Sequence, residues 1–198
     1  MASRLALTLA ESTGRRIGPI LKLRVDDLDL DRLPYGWLRF RAEHDKTGHE
    51  QWVPLTELAR GVVLTHLGAS PSGKWLFASR VKPSRPIDRR TLDHRLMEAY
   101  ERAGLERLDG GLWHPWRRKW ATERKGMPIK DVAAAGGWSD TATLLRSYQQ
   151  SDEATLTQVV LEAPKLRANG AGGREITPLL TPPHPTTRAD GKVQLEVG

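Results

Sequence analysis

The chain has 198 residues, 38% of them hydrophobic, enough for one domain with a real core. It has no cysteine, which excludes disulfides and thiolate metal sites, and no apolar run of membrane-spanning length. Lys plus Arg is 31 against 24 Asp plus Glu, and most of the resulting +7 lies before Pro164, so the body of the chain is basic and suits a polyanionic partner such as nucleic acid.

ASRLALTLAESTG, ending at Gly14, places Leu5 and Leu9 on one face and reads as a helix stopped by the glycine. IGPILKL adds a short second helical piece with Pro19 in its first turn. The acidic run DDLDLD at 26–31 lacks the glycine and terminal glutamate of a calcium loop and is expected to be a solvated turn. WLRFRAEHDKTGHEQWVPL reads as a β-hairpin. Trp37, Leu38 and Phe40 supply one strand, Trp52-Val53-Pro54 the return strand, and DKTGHE the turn, with Lys46 at its tip. An amphipathic helix over Thr56–Leu67 follows, then a Pro/Ser/Gly loop and the short apolar segment WLFA. Asp88–Ala103 is predicted as a helix with Leu92, Leu96, Ala99 and Tyr100 on a shared face and Gly104 beyond its end. Pro115 and Gly126 bracket a helix over His114–Lys125. Pro128 opens another that Gly136-Gly137 closes. Thr141–Gln149 and Asp152–Glu162 complete the helical set, the last with Ser151 as its N-cap. Pro, Gly and Thr dominate from Pro164 onward, so a folded domain over 1–163 is expected to end in a disordered tail over 164–198. The expected fold class is α+β, mostly helical with a small antiparallel β-sheet.

Several segments carry chemistry. His114 and Arg117, three positions apart, share one side of the first turn of their helix, where free N–H groups also suit a phosphate. Trp116 and Trp120, four apart, are expected to anchor that helix in the core. TGRRIGPIL places Arg16 in an otherwise apolar segment beside a helix-ending glycine, a position that demands an anionic partner. Lys46 is a cation on a hairpin tip. Trp138 follows two glycines, where backbone can approach a substrate, and Tyr148 lies on a short helix. Taken singly, each also fits a plain structural role: solvated basics, a core Trp, a core or surface Tyr.

Taken in order, TGRRI, KTGHEQWVPL, HPWR, GGW and LLRSY resemble the catalytic domain of the tyrosine recombinases, the phage integrase family, over roughly Ala6 to Gln150. The resemblance implies that Tyr148 is a nucleophile that attacks a DNA phosphate to leave a 3′-phosphotyrosyl link. It implies that Arg16 and Arg117 hold the non-bridging oxygens, that Lys46 protonates the leaving 5′-oxygen, that His114 assists proton transfer, and that Trp138 packs at or hydrogen-bonds the phosphate. Such chemistry needs no metal or other cofactor, because the positive charge comes from side chains. Arg89 and Arg90, and Arg118 where the common pattern has a second His, are candidate DNA contacts. The implied partners are double-stranded DNA and other protomers, as a tetramer on DNA in the family, with no membrane. The implied setting is the cytoplasm of a bacterium or a phage host. Met1 falls past the expected first helix of the domain, so the pattern implies a chain lacking that helix and the N-terminal DNA-clamping domain, with weaker DNA binding and a reduced salt slope. Pro19 stands where the family usually has an acid, and ten positions separate Trp138 from Tyr148, one more than usual, which must be absorbed before the Tyr helix. Two other readings use the same residues: a type IB topoisomerase that relaxes DNA, and a non-catalytic DNA-binding remnant of a truncated integrase.

Overall fold

The computed structural model describes residues 1–45, 48–69, 73–149 and 152–161. Residues 1–156 form one compact unit; of a second, 157–198, only 157–161 are described. The first helix, α1 (Ala2–Thr13), buries Leu5, Ala6, Leu9 and Ala10, the stripe its periodicity requires. Full burial of each leucine contributes about 1.5 to 3 kcal/mol. The chain leaves α1 through Gly14 at φ 66°, whose N–H donates to Ala10 O at 3.0 Å. A β-carbon there would collide with the Trp120 ring, so the turn needs glycine for space as well as for conformation. The short α2 (Ile17–Leu21) follows with Pro19 inside it.

Three antiparallel strands, β1 (Leu28–Asp29), β2 (Trp37–Phe40) and β3 (Gln51–Pro54), are ordered β1-β2-β3, with Leu38 opposite both Leu28 and Val53. Leu38, Phe40 and Val53 are buried, giving the sheet one core face. The expected hairpin is present, but the acidic run is not a solvated turn. It supplies β1 and a 3-10 turn at Val25–Asp27, and Asp27 is only 1% exposed. Its carboxylate accepts from Arg39 Nε at 3.0 Å, Arg41 Nε at 2.6 Å and the Arg24 N–H at 2.9 Å. Those donors are what allow an aspartate to sit inside.

The helix α3 (Glu57–Ala69) packs along α1, and α4 (Arg89–Arg102) is capped by Asp88, whose Oδ1 accepts the Arg90 N–H at 2.7 Å. The helices α5 (His114–Thr122), α6 (Ile129–Gly136) and α7 (Thr141–Tyr148) follow. Helix α5 stops three residues before the predicted Lys125, because the Arg124 and Lys125 N–H groups donate three residues back, to Ala121 and Thr122, and tighten the chain into turns. The last helix, α8 (Glu153–Leu161), starts after Asp152, which accepts the Thr155 N–H at 2.9 Å. Ser151, expected as its cap, and the tail over 164–198 lie outside the described residues.

Buried residues fall into two clusters. The larger is built from α1 to α4 and the sheet and includes Trp113 at the mouth of α5. The smaller joins α5, α6 and α7 through Trp120, Val132, Trp138, Leu144 and Tyr148. The Trp120 Nε1–H donates to Ser12 O at 2.9 Å and so ties the second cluster to the end of α1.

Candidate active site

Pro115 in the first turn and buried Trp113, whose Nε1–H donates to Asp93 Oδ1 at 2.6 Å, fix how α5 begins. That geometry turns His114 and Arg117 into a cavity of about 350 Å³, also lined by Arg16, His44, Asp45 and Arg89. Arg117 is 2% exposed. Its Nη1 donates to Gly14 O and Gly136 O, both at 2.5 Å, and its guanidinium carbon lies 3.4 Å from the centre of the Trp138 ring. Its Nε and Nη2 are buried and have no hydrogen-bond partner among the described residues. Burial first, then the like charge of Arg16, lowers Arg117 to about 9, against an opposing pull from Tyr148. It therefore stays cationic at neutral pH.

Arg16 is exposed and lines the same cavity. The anionic partner expected for an arginine beside Gly14 belongs instead to Arg15, which is 3% exposed and bonded through Nη1 to Asp45 Oδ2 at 2.7 Å. Burial outweighs Asp45 and lowers Arg15 to about 10. Lys46 lies outside the described residues, and its neighbours are joined by a bond from the Gly48 N–H to Asp45 O at 3.1 Å. Pro19 lines the cavity without supplying a carboxylate.

Asp140 caps α7, accepting the Thr143 N–H at 2.6 Å, and Tyr148 is the last residue of the helix. The phenol reaches His114, with Oη 3.4 Å from Nε2, while the Tyr148 ring meets Trp138 edge-on at 5.0 Å. The extra residue between Trp138 and Tyr148 thus does not turn the phenol away. Burial lowers the His114 pKa, and the charges of Arg118, Arg117 and Arg16 lower it further. A neutral imidazole beside a phenol is a proton acceptor.

Trp138 is buried, stacks on Trp120 at 6.1 Å and packs under Arg117; its Nε1 has no partner among the described residues. The two glycines before it leave room for protein side chains. A β-carbon at Gly136 would strike the Trp138 ring, and one at Gly137, at φ 69°, would strike the Arg15 guanidinium. Trp116 is half-buried on the same helix as Trp120.

Arg89 lines the cavity and approaches Asp93 Oδ2 at 3.4 Å. Arg90 is exposed on the first turn of α4 and is not among the residues lining this cavity. Arg118 is exposed and donates to Asp109 O. A second depression shares Gly18 and Arg89 with the first and sets Lys22, Lys82 and Arg85 beside the apolar Leu21, Val81 and Ile87. Sequence reasoning passed over Arg15, His44, Asp45 and these three cations. The cost of burying an arginine after Gly14, applied one position earlier, was the available signal for Arg15. Among the described residues, no group of three or more His, Asp or Glu is arranged to hold a metal, and no helix is long and apolar enough to cross a membrane.

No curated protein matches the chain. Among solved structures it is similar to XerA recombinase, at 18% identity and a TM-score of 0.59, covering 79% of this chain and 61% of that one. It is similar to XerH site-specific recombinase bound to palindromic difH substrate in a post-cleavage complex, at 22% identity and a TM-score of 0.61, covering 80% and 44%. It is also similar to the Tn1549 transposon integrase in complex with transposon right end DNA, at 17% identity and a TM-score of 0.63, covering 79% and 57%. The chain therefore spans less than two thirds of the length of each of these proteins, and the likeness is one of fold. Residues 1–155 match the Phage integrase family, and the chain belongs to that family, the tyrosine recombinases.

Proposed function

We propose that this chain is the catalytic domain of a site-specific DNA recombinase. In this reading the Tyr148 oxygen bonds to a backbone phosphorus while the bond from phosphorus to the 5′-oxygen breaks. The phenolic proton passes to His114 Nε2, and the leaving 5′-oxygen takes a proton from Lys46. The product is a 3′-phosphotyrosyl link and a free 5′-hydroxyl, and the reverse reaction on a new strand rejoins DNA without ATP. Arg117 and Arg16 neutralise the pentavalent phosphorane, where fixed guanidinium forks suit spread charge better than hydrated ammoniums. Trp138 holds the Arg117 plane from below.

One observation carries the reading. A buried arginine, with two of its three nitrogens unpartnered, lies in one site with Arg16, His114 and the Tyr148 phenol. An ordinary structural arginine uses all its donors once it is desolvated. The cations Arg89, Lys22, Lys82 and Arg85 around the two adjoining depressions support a duplex as the ligand, its backbone phosphates meeting them beside the cavity. Exposed Leu156, Val159 and Val160 on α8 support docking of that helix on a neighbouring protomer.

A trapping assay tests this. A pool of duplexes of randomised sequence, nicked just downstream of a fixed phosphodiester, loses the short leaving fragment and captures the covalent adduct. The chain is expected to form an adduct that Tyr148→Phe abolishes. DNA binding with no adduct supports the remnant reading instead, and relaxation of supercoiled DNA without recombinants supports the topoisomerase.

A further inference from the structure

We propose that Thr122 is a positioning residue for the nucleophile: its hydroxyl, at the end of α5, holds the main-chain carbonyl of Tyr148 and so sets where the phenol stands relative to Arg117 and His114. The inference rests on the reading of Tyr148 as the attacking group.

Tyr148 is the last residue of α7 and Thr122 the last of α5, so two helix ends meet at this joint. Each end leaves carbonyl groups without a partner inside its own helix, and the two carry partial charge of the same sign. Donors from opposite sides bridge them. Thr122 Oγ1 donates to Tyr148 O at 2.9 Å, and Gln149 Nε2 donates back to Ala121 O at 3.2 Å. The Gln149 N–H turns the other way, to Leu144 O at 3.2 Å, and closes α7. Arg124 completes the α5 end, with Nη1 on Trp120 O at 3.0 Å.

The direction of the Thr122 hydroxyl is the unusual feature. A threonine in a helix commonly bonds a carbonyl one turn back. Thr13 does so to Leu9 O at 2.6 Å and Thr65 to Gly61 O at 2.8 Å. Thr122 instead reaches across 26 positions of chain to the residue that bears the phenol. The same helix touches Tyr148 at its other end, where His114 Nε2 lies 3.4 Å from Oη. One nine-residue helix thus carries Arg117 and grips the tyrosine at carbonyl and at hydroxyl. Stability does not account for the bond, since Thr122 is exposed and water can satisfy both groups once it is broken. What the bond adds is a fixed distance between the phenol and Arg117. Helix α7 ends at the tyrosine, so no further helical turn of α7 holds that residue from its C-terminal side.

The test uses the full chain and the trapping assay, read as the single-turnover adduct rate at saturating DNA, with DNA affinity measured separately. Thr122→Val removes the hydroxyl and keeps the shape. It is expected to lower the rate by about 3- to 10-fold, the equilibrium weight of one hydrogen bond, and to leave DNA affinity as in wild type. Thr122→Ser, which keeps the hydroxyl, is expected to run at the wild-type rate. Thr122→Val as fast as wild type, Thr122→Ser as slow as Thr122→Val, or a loss seen in DNA affinity rather than in rate overturns the inference. If Thr122→Val does not unfold cooperatively in urea, Gln149→Met, which withdraws the amide from Ala121 O at the same joint, takes its place with the same expected loss, and no loss there overturns the inference equally. Wild type without adduct removes the reading of Tyr148 as nucleophile and this inference with it; an active wild type with an equally active Thr122→Val removes only the inference.

Discussion

Replacing Arg117 with lysine keeps the charge and removes the fork. Arg117 divides its nitrogens between two tasks: Nη1 holds Gly14 O and Gly136 O, and Nε and Nη2 remain in the buried wall of the site. Lysine offers one nitrogen, which can hold the carbonyls or meet a phosphate oxygen, but not both. The flat contact with Trp138 at 3.4 Å is lost as well. That contact is worth about 1 to 2 kcal/mol at a desolvated site, a fall in Tm of roughly 2 to 4 °C per kcal/mol for a chain of this size. Losing a donor aimed at developing oxyanion charge costs about 10² to 10³ in rate. The two effects separate experimentally. Urea unfolding should show a folded variant under assay conditions, while the trapping assay at saturating DNA should show an adduct rate down by about 10² to 10³. A fall of less than about tenfold in a folded variant would refute the placement of Arg117 on the transferring phosphate.

Two further outcomes follow from the geometry. Because His114 is held below its ordinary value of about 6.5, it stays neutral through neutral pH and gains its proton only as pH drops through that lowered value. Adduct formation should therefore persist below pH 6.5 and fall on a more acidic limb, and Arg118→Gln, which removes one of the repelling charges, should move that limb to higher pH; a pH profile of single-turnover rate checks both. Asp27→Ala strips a carboxylate from between Arg39, Arg41 and the Arg24 N–H, leaving Arg41 its bond to Asp26, and should destabilise the unit by about 1 to 3 kcal/mol in urea unfolding.

Helices were legible where apolar spacing and a glycine stop agreed: α1, α4 and α6 end within a residue or two of their signals, whereas α5, bracketed by Pro115 and Gly126, stops at Thr122. The strand at Leu28–Asp29 was not legible, because its only distinctive feature, a run of acids, marks solvent in most sequences. Three donors, the side chains of Arg39 and Arg41 and the main chain of Arg24, reverse that reading at Asp27, and no local pattern announces them. The same reasoning explains the arginines after Gly14. Sequence could state that a buried guanidinium there needs an acid, but the acid lies thirty positions on, so the choice between Arg15 and Arg16 waited for the fold. His114, Arg117, Trp138 and Tyr148 were readable because motif and helix phase point the same way, and the structure brings those four together. Of the cations around the second depression, Lys22 follows α2 while Lys82 and Arg85 share one turn far along the chain, so no common signature marks them.

The division of the core has a mechanical consequence. Tyr148 rides on the small apolar cluster, whereas Arg16 and the strands flanking Lys46 belong to the large one. The seam between them is stitched by polar threads: Trp120 to Ser12, Arg117 to Gly14, Arg15 to the last carbonyls of α6. Hydrogen bonds are directional and short-ranged, so such a seam favours a single register, and slippage by a fraction of a bond length parts the Tyr148 phenol from the arginine pair while both halves stay folded. Alignment, more than fold, is the fragile property of this arrangement.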